Sequence, residues 1–249
     1  NFLNTYVSSL AVPEWYSLGN TSGIPAAESI TNRRRLMAAL GSLELGFKDF
    51  WFVNLSLRND WSSTLPENNR SYMYGGINTA LNITDWFKQI QSDKLNSLKI
   101  RAAWGQTGKD APPYRIRTDF RTSKPTLGAT SNITFPIGGV AGVTESNTQG
   151  NDILRPEITT ELEFGLDTRW FSNRVGLDFS FYNRKTKDQI VAANFPAETG
   201  YTLRTLNIGN IQNKGIEAVL TLVPIKTKDF RWELATNFTQ NKSKVLSLY

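Results

Sequence analysis

Four carboxylates, Glu161, Glu163, Asp167 and Asp178, come nearest in type and spacing to residues that do chemistry. Glu161 and Glu163 stand two apart, so on a strand they share one face. Carboxylates gathered on one surface are the raw material of general acid–base catalysis. The same spacing describes charges that line a wet channel wall, and the surrounding residues favour that reading. No histidine and no cysteine occurs in the 249 residues. Cys/His zinc sites, iron–sulfur clusters, His-ligated haem and histidine-based triads are thereby excluded. A phosphate-binding loop and a GxGxxG fingerprint are also missing. The expectation is a protein that is not an enzyme, with no cofactor and no metal. A second set of candidates lies in one long irregular stretch, where Tyr114, Arg115, Arg117 and Phe120 stand close together as substrate-binding residues. Aromatic rings there, with Phe135 and Tyr201, could stack on a sugar face in a partly desolvated cleft; packing of the loop on itself is the alternative. The basic residues Lys109, Arg115, Arg117, Arg121 and Lys124 lean toward an acidic or neutral polar ligand.

The carboxylates are positioned by TTELEFGLDTRWFSNRVGLDFSFY, residues 159–182. Leu162, Phe164, Leu166 and Trp170 share one parity, broken by Thr168, while Glu161, Glu163, Gly165, Asp167 and Arg169 share the other. After a Ser172-Asn173 turn, Val175, Leu177, Phe179 and Phe181 alternate with Gly176, Asp178, Ser180 and Tyr182. Period-2 sorting is the mark of a strand, so this is an antiparallel hairpin with one apolar and one charged face. Two surroundings satisfy it: a protein core against water, or lipid outside against a wet lumen.

The same alternation recurs along the chain. Residues 1–32 read as a loop. Leu43, Leu45 and Phe47 lead through a tight turn at Lys48-Asp49 into Trp51, Val53, Leu55 and Leu57. A third strand carries Met73, Ile77, Leu81 and Ile83, and residues 84–97 form a connection with one helical turn. Leu98, Ile100, Ala102 and Trp104 mark a fourth strand, and the longest gap, 107–157, follows. Beyond the central hairpin lie a loop at 191–206, a seventh strand with a bulge between Ile208 and Ile216, a turn at 224–229, and an eighth strand through Phe230, Trp232, Leu234 and Phe238. Connections alternate short and long, and aromatics crowd the short end: Phe47, Phe50, Trp51, Trp86, Phe87, Trp170, Phe171, Phe230 and Trp232. Trimmed turns at one end, long loops at the other and an aromatic girdle are features of outer-membrane barrels. A soluble β-sandwich or soluble barrel is the other solution; it needs neither the girdle nor strands of about 9–11 residues. No run of 18 apolar residues exists, which excludes a membrane-crossing helix and says nothing against barrel strands. The net charge of +6 is dispersed over turns and polar faces, and Arg33-Arg34-Arg35 reads as a solvated strand end, so no nucleic-acid partner is expected. The N-terminus has no signal-peptide pattern and the C-terminal residues run off strand-like, as in a piece of a longer protein.

The strings RNDWSSTLP (58–66), LKIRAAWGQTG (98–108), LRPEITTELEFGLDTRWF (154–171), FYNRKTKDQIV (181–191) and NIGNIQNKGIEAVLTL (207–222) closely resemble the SusC/RagA-like family of TonB-dependent outer-membrane transporters. The resemblance covers nearly the whole chain. It implies an all-β fold, an antiparallel up-and-down transmembrane barrel of about 22 strands, of which about eight are here. Residues 1–249 are then a partial barrel domain without the plug domain and the final strands. It further implies the outer membrane of a Gram-negative bacterium, surrounded by outer-membrane lipid, and active import of oligosaccharides or peptides. The implied partners are a SusD-like surface lipoprotein and the TonB–ExbB–ExbD energy-coupling complex, reached through the absent N-terminal region. A passive porin-like channel and a soluble β-sandwich binding module are the alternatives. The resemblance transfers no ligand residue.

Overall fold

The structure is a computed structural model and describes residues 2–6, 9–22, 26–121, 126–127, 131–132, 138–140 and 142–248. It divides into two units, residues 1–35 and 36–249. In the first, Phe2–Tyr6 pairs antiparallel with Ala26–Ile30. The chain between them is tied by the buried Asn20, whose amide donates to Val12 O at 2.8 Å and to Trp15 O at 2.6 Å. The stretch read as a loop from sequence therefore carries a hairpin. Its five-residue strands are too short for alternation to stand out.

The second unit is built on one eight-stranded sheet: β1 (Leu36–Phe47), β2 (Trp51–Ser62), β3 (Ser71–Asn82), β4 (Leu95–Lys109), β5 (Glu157–Trp170), β6 (Val175–Lys187), β7 (Asn210–Lys226) and β8 (Arg231–Ser247). The strands lie in chain order and every neighbouring pair is antiparallel. This is the up-and-down meander expected from the alternating connections.

Register keeps the two faces apart. One row crosses the sheet as Phe47, Trp51, Leu81, Ile100, Leu166, Phe179, Ala218 and Phe238. A row of the opposite parity runs Ser42, Ser56, Gly76, Gly105, Glu161, Arg184, Asn213 and Ser243. Directly paired residues across antiparallel strands share a face, so the alternation in sequence becomes an apolar wall and a polar wall. The apolar wall is not covered: Leu43, Leu55, Ile77, Trp104 and Phe164 are all exposed. Among the described residues the buried apolar cluster is Leu65, Tyr72, Ala111 and Leu154, at the roots of the long connections rather than under the sheet. A soluble sandwich would bury its core between two apolar faces.

On the polar wall, large side chains lie over facing glycines. A Cβ on Gly215 would come within 2.5 Å of the Tyr182 ring, and one on Gly165 within 2.8 Å of Arg101 Nε. Both glycines sit directly opposite those residues, so the missing side chain is the space the neighbour occupies.

The structure also corrects the sequence reading within the sheet. Ile83 does not continue the third strand; it opens a one-turn helix, Ile83–Trp86, and β4 resumes at Leu95. Pro224 does not begin a turn but sits inside β7. The register steps from Leu222–Leu234 to Ile225–Trp232, leaving Val223 and Pro224 in a bulge where the missing proline N–H removes no ladder bond. The bulge expected between Ile208 and Ile216 is present at Asn210/Ile211. The long gap is narrower than 107–157, because β4 runs to Lys109, which takes that basic residue out of the loop.

Candidate binding site at the elaborated end

The long connections 63–70, 110–156 and 188–209 leave from one end of the sheet. Three buried carboxylates anchor their roots. Asp60, near the end of β2, accepts from Arg58 Nε at 2.7 Å and from the Tyr74 hydroxyl at 2.9 Å. Asp110, just past β4, accepts from the hydroxyls of Ser62 and, at 3.0 Å, Thr64. Glu157, opening β5, accepts from Lys109 Nζ at 3.3 Å and from the Ile190 N–H at 3.0 Å. A carboxylate out of water must have its lone pairs filled: Asp60 is filled from β2 and β3, Asp110 in part from Thr64 of the 63–70 connection, and Glu157 in part from Ile190 of the 188–209 connection. Outside this ring, Asn207 Nδ2 donates to Arg155 O at 2.8 Å and Asp188 O at 2.9 Å, while Arg155 reaches Asp188 at 3.0 Å.

Above these roots the 110–156 connection doubles back on itself. Asn151 N donates to Arg115 O at 2.9 Å, Gly150 N to Thr118 Oγ1 at 3.1 Å and Ser146 N to Asp119 O at 2.8 Å. Phe120–Arg121 pairs antiparallel with Thr144–Glu145. Gly150 is required here: a Cβ would lie 2.3 Å from the Arg117 carbonyl carbon. The 188–209 connection is a hairpin of Ile190–Asn194 with Leu203–Asn207, and Thr148–Gln149 adds to it in parallel. The two loops are thus joined by strand pairing and by the Tyr201 hydroxyl, which donates to Glu145 Oε1 at 2.8 Å. That hydrogen bond, followed by desolvation, raises the Tyr201 phenol above its ordinary value of 10.0.

Of the four candidates from sequence, Tyr114, Arg115 and Arg117 line one small cavity of about 10 Å³ with Ser146, Thr148 and Thr205. Phe120 stands apart from it on its short strand, largely exposed. Tyr114 follows Pro112-Pro113 and takes φ of 61°, a left-handed conformation costly for a bulky residue, with its ring half exposed. Phe135 and Lys124 lie outside the described residues. Below the loops, a groove of about 900 Å³ runs along the polar wall past Ser56, Arg58, Asn78, Glu161, Glu163 and Arg184.

The carboxylates first considered for catalysis are mostly paired with cations. Glu161 accepts from Arg184 at 2.5 Å, Asp178 from Arg101 at 2.6 Å, and Asp167 lies 3.3 Å from Arg169. This is the arrangement of a charged wall. Sequence reasoning missed Asp60, Asp110 and Glu157. They sit at strand ends where period-2 alternation stops, and the available signal was their place inside RNDWSSTLP, just after WGQTGK and inside LRPE. Among the described residues no cluster of His, Cys, Asp and Glu could hold a metal, and no helix is long and apolar enough to cross a membrane.

A family model described as TonB dependent receptor-like, beta-barrel, matches residues 5–246. Among curated proteins, TonB-dependent receptor P26 of Formosa agariphila is 27% identical over 215 residues, covering 86% of this chain and 21% of that protein. TonB-dependent receptor SusC of Bacteroides thetaiotaomicron is 28% identical over 217 residues, covering 87% and 21%. The chain therefore spans about a fifth of the length of these relatives. Among solved structures, the RagAB peptide transporter superposes with a TM-score of 0.76 at 22% identity, over 96% of this chain and 26% of that one. The siderophore receptor PirA of Pseudomonas aeruginosa gives 0.54 at 15% identity, over 89% and 36%.

Proposed function

Because the chain belongs to the TonB-dependent receptor-like β-barrel family, whose barrels are outer-membrane proteins and not enzymes, we propose that it is a sector of a transporter barrel in a Gram-negative outer membrane. The transporter imports an oligosaccharide or peptide, driven through TonB–ExbB–ExbD. A SusD-like lipoprotein covers the elaborated end. The residues 1–249 are part of the barrel domain; the plug and the remaining strands lie elsewhere in the transporter. The observation that carries this reading is the single sheet with an uncovered apolar wall, an aromatic band at its short-turn end and a charged wall behind it. In this reading the apolar wall meets lipid and the polar groove borders the import path.

Cargo contact falls to the loop pair, with Tyr114, Arg115, Arg117 and Phe120 as the residues offered for it. The half-exposed ring of Tyr114 and the exposed ring of Phe120 supply stacking surfaces. The arginines supply bidentate donors for carboxylate or other acidic groups. The test replaces residues 112–150 of the complete transporter by a short Gly-Ser turn. The barrel should still assemble, since its register does not depend on that segment, and uptake of cargo should be lost. Collapsing the proton gradient should abolish uptake by the unaltered protein. Wild-type uptake by the shortened transporter would remove this loop from the cargo site, and gradient-independent uptake would make the barrel a passive channel.

A further inference from the structure

At the short-turn end, the apolar wall carries a groove of about 890 Å³. Its floor is Phe47, Trp51, Leu81 and Ile100, consecutive members of one cross-strand row. The Trp51 indole N–H donates to Thr79 Oγ1 at 2.9 Å, and that hydroxyl donates to Phe52 O at 3.0 Å. The floor's polar atoms are therefore satisfied from within the sheet, which leaves a surface suited to hydrocarbon.

A ledge overhangs this floor. Phe50, from the β1–β2 turn, and Trp86, from the Ile83–Trp86 helical turn, stack at 5.4 Å with an interplanar angle of 4°, and Phe87 stacks on Trp86 at 4.6 Å. The two turns are fastened by Asn82 N donating to Phe50 O at 2.7 Å. The groove is thus preformed by hydrogen bonds that do not involve any occupant. Both signs of charge stand at its rim, because Lys48 and Asp85 line the same groove. Lys48 takes φ of 48° in its turn, with its ammonium 5.2 Å from the Phe47 ring centroid.

We propose that this groove is a binding site for one zwitterionic aminophospholipid of the phosphatidylethanolamine class. An acyl chain lies on the Phe47–Ile100 floor under the Phe50–Trp86 ledge. Lys48 meets the phosphate and Asp85 the headgroup ammonium. A purely anionic lipid would leave Asp85 facing a like charge, and a plain hydrocarbon would leave both rim charges without a role. The inference depends on the reading of the apolar wall as lipid-facing, and the experiment separates the two.

The complete transporter is reconstituted into vesicles of equal parts phosphatidylethanolamine and phosphatidylcholine, extracted in mild detergent and examined by native mass spectrometry. Heat-modifiable gel migration reports barrel assembly independently. The variants are Lys48→Asn, chosen because asparagine tolerates a left-handed turn, and Asp85→Asn. The wild type should retain phosphatidylethanolamine in preference to phosphatidylcholine. Lys48→Asn should lower retention about fivefold, the scale of one lysine beside a lipid phosphate. Asp85→Asn should lose the preference for the primary ammonium while still holding lipid. Photoactivatable acyl chains should label the segments 47–51 and 81–100. An assembled barrel that retains no phosphatidylethanolamine beyond the Lys48→Asn level overturns the site and leaves the membrane reading standing. A second polypeptide in place of lipid also overturns it. Failure of the wild type to enter vesicles as a heat-modifiable barrel overturns the membrane reading itself.

Discussion

At the short-turn end each hairpin closes through hydrogen bonds between residues three or four apart, such as Phe50 N to Phe47 O at 3.2 Å and Arg174 N to Trp170 O at 3.0 Å, and longer-range bonds such as Asn82 N to Phe50 O and Phe171 N to Lys94 O then tie neighbouring turns together. The turn residues Lys48, Asp49, Phe171, Ser172 and Asn173 all take positive φ, which matches the twist of the strands they join. At the elaborated end the bonds that hold the loops join Asp110 to Ser62, Glu157 to Ile190 N and Asn69 to Leu154 O, across 48, 33 and 85 residues of chain. Local bonds form with the hairpin and are lost only with it. Distant bonds form only after the strands have brought their ends together. The elaborated end therefore depends on the sheet, whereas the sheet does not depend on the elaborated end.

The sharpest way to break this asymmetry is to damage the sheet. Leu166→Arg puts a charge on the apolar wall between Ile100 and Phe179. Against lipid that costs up to about 2–4 kcal/mol, the value at the middle of a bilayer, and both ends should be lost together. In the complete transporter the heat-modifiable band should disappear, while Glu163→Gln on the opposite wall should leave it unchanged. Equal assembly of the two variants would remove the distinction between the walls.

A smaller and one-sided effect is expected from Asp110→Ala. Removing the acceptor leaves the buried hydroxyls of Ser62 and Thr64 only each other, at 2.9 Å, so one donor loses its acceptor at about 1–3 kcal/mol. The strands should persist while protease cleavage within 111–156 becomes about tenfold faster, as a loss of about 1.4 kcal/mol would give. If cleavage is unchanged, Asp110 is not what holds that loop.

The smallest effect sharpens the comparison within the elaborated end. Tyr201 is raised in the folded protein, so its bond to Glu145 is fully present below the ordinary phenol value of 10.0. The contribution fades as pH climbs through the raised value. Phenolate absorbance, wild type minus Tyr201→Phe, should show one group titrating above that ordinary value. Titration at or below it would mean that the two loops are not latched there.

The walls were legible in sequence because alternation is a local property: Leu162, Phe164 and Leu166 announce their face without knowledge of any partner. The hairpin turns were legible for the same reason. The loop roots were not, because Asp110, Ser62 and Leu154 acquire meaning only from residues far along the chain, and no period marks them. Ile83 was misplaced because one apolar residue in step with a strand does not reveal that the backbone has already turned into a helix. The candidate set was legible in part. Tyr114, Arg115 and Arg117 were close in sequence and are close in space, but the pairing that separates Phe120 from them involves Thr144 and Glu145.

The bulge at Val223 and Pro224 sets where the chain tolerates a change of length. Leu222 and Ile225 differ in parity, yet both stand in the apolar rows, opposite Leu234 and Trp232. The extra residue is absorbed there. Deleting one residue in the middle of β5 would instead turn every following side chain of that strand onto the wrong wall, exchanging Leu166 for a carboxylate. Single-residue changes of length are thus absorbed at the turns and at the register shifts near Val223–Pro224, Asn210/Ile211 and Arg169/Trp170, and between these the strands can change length only in steps of two.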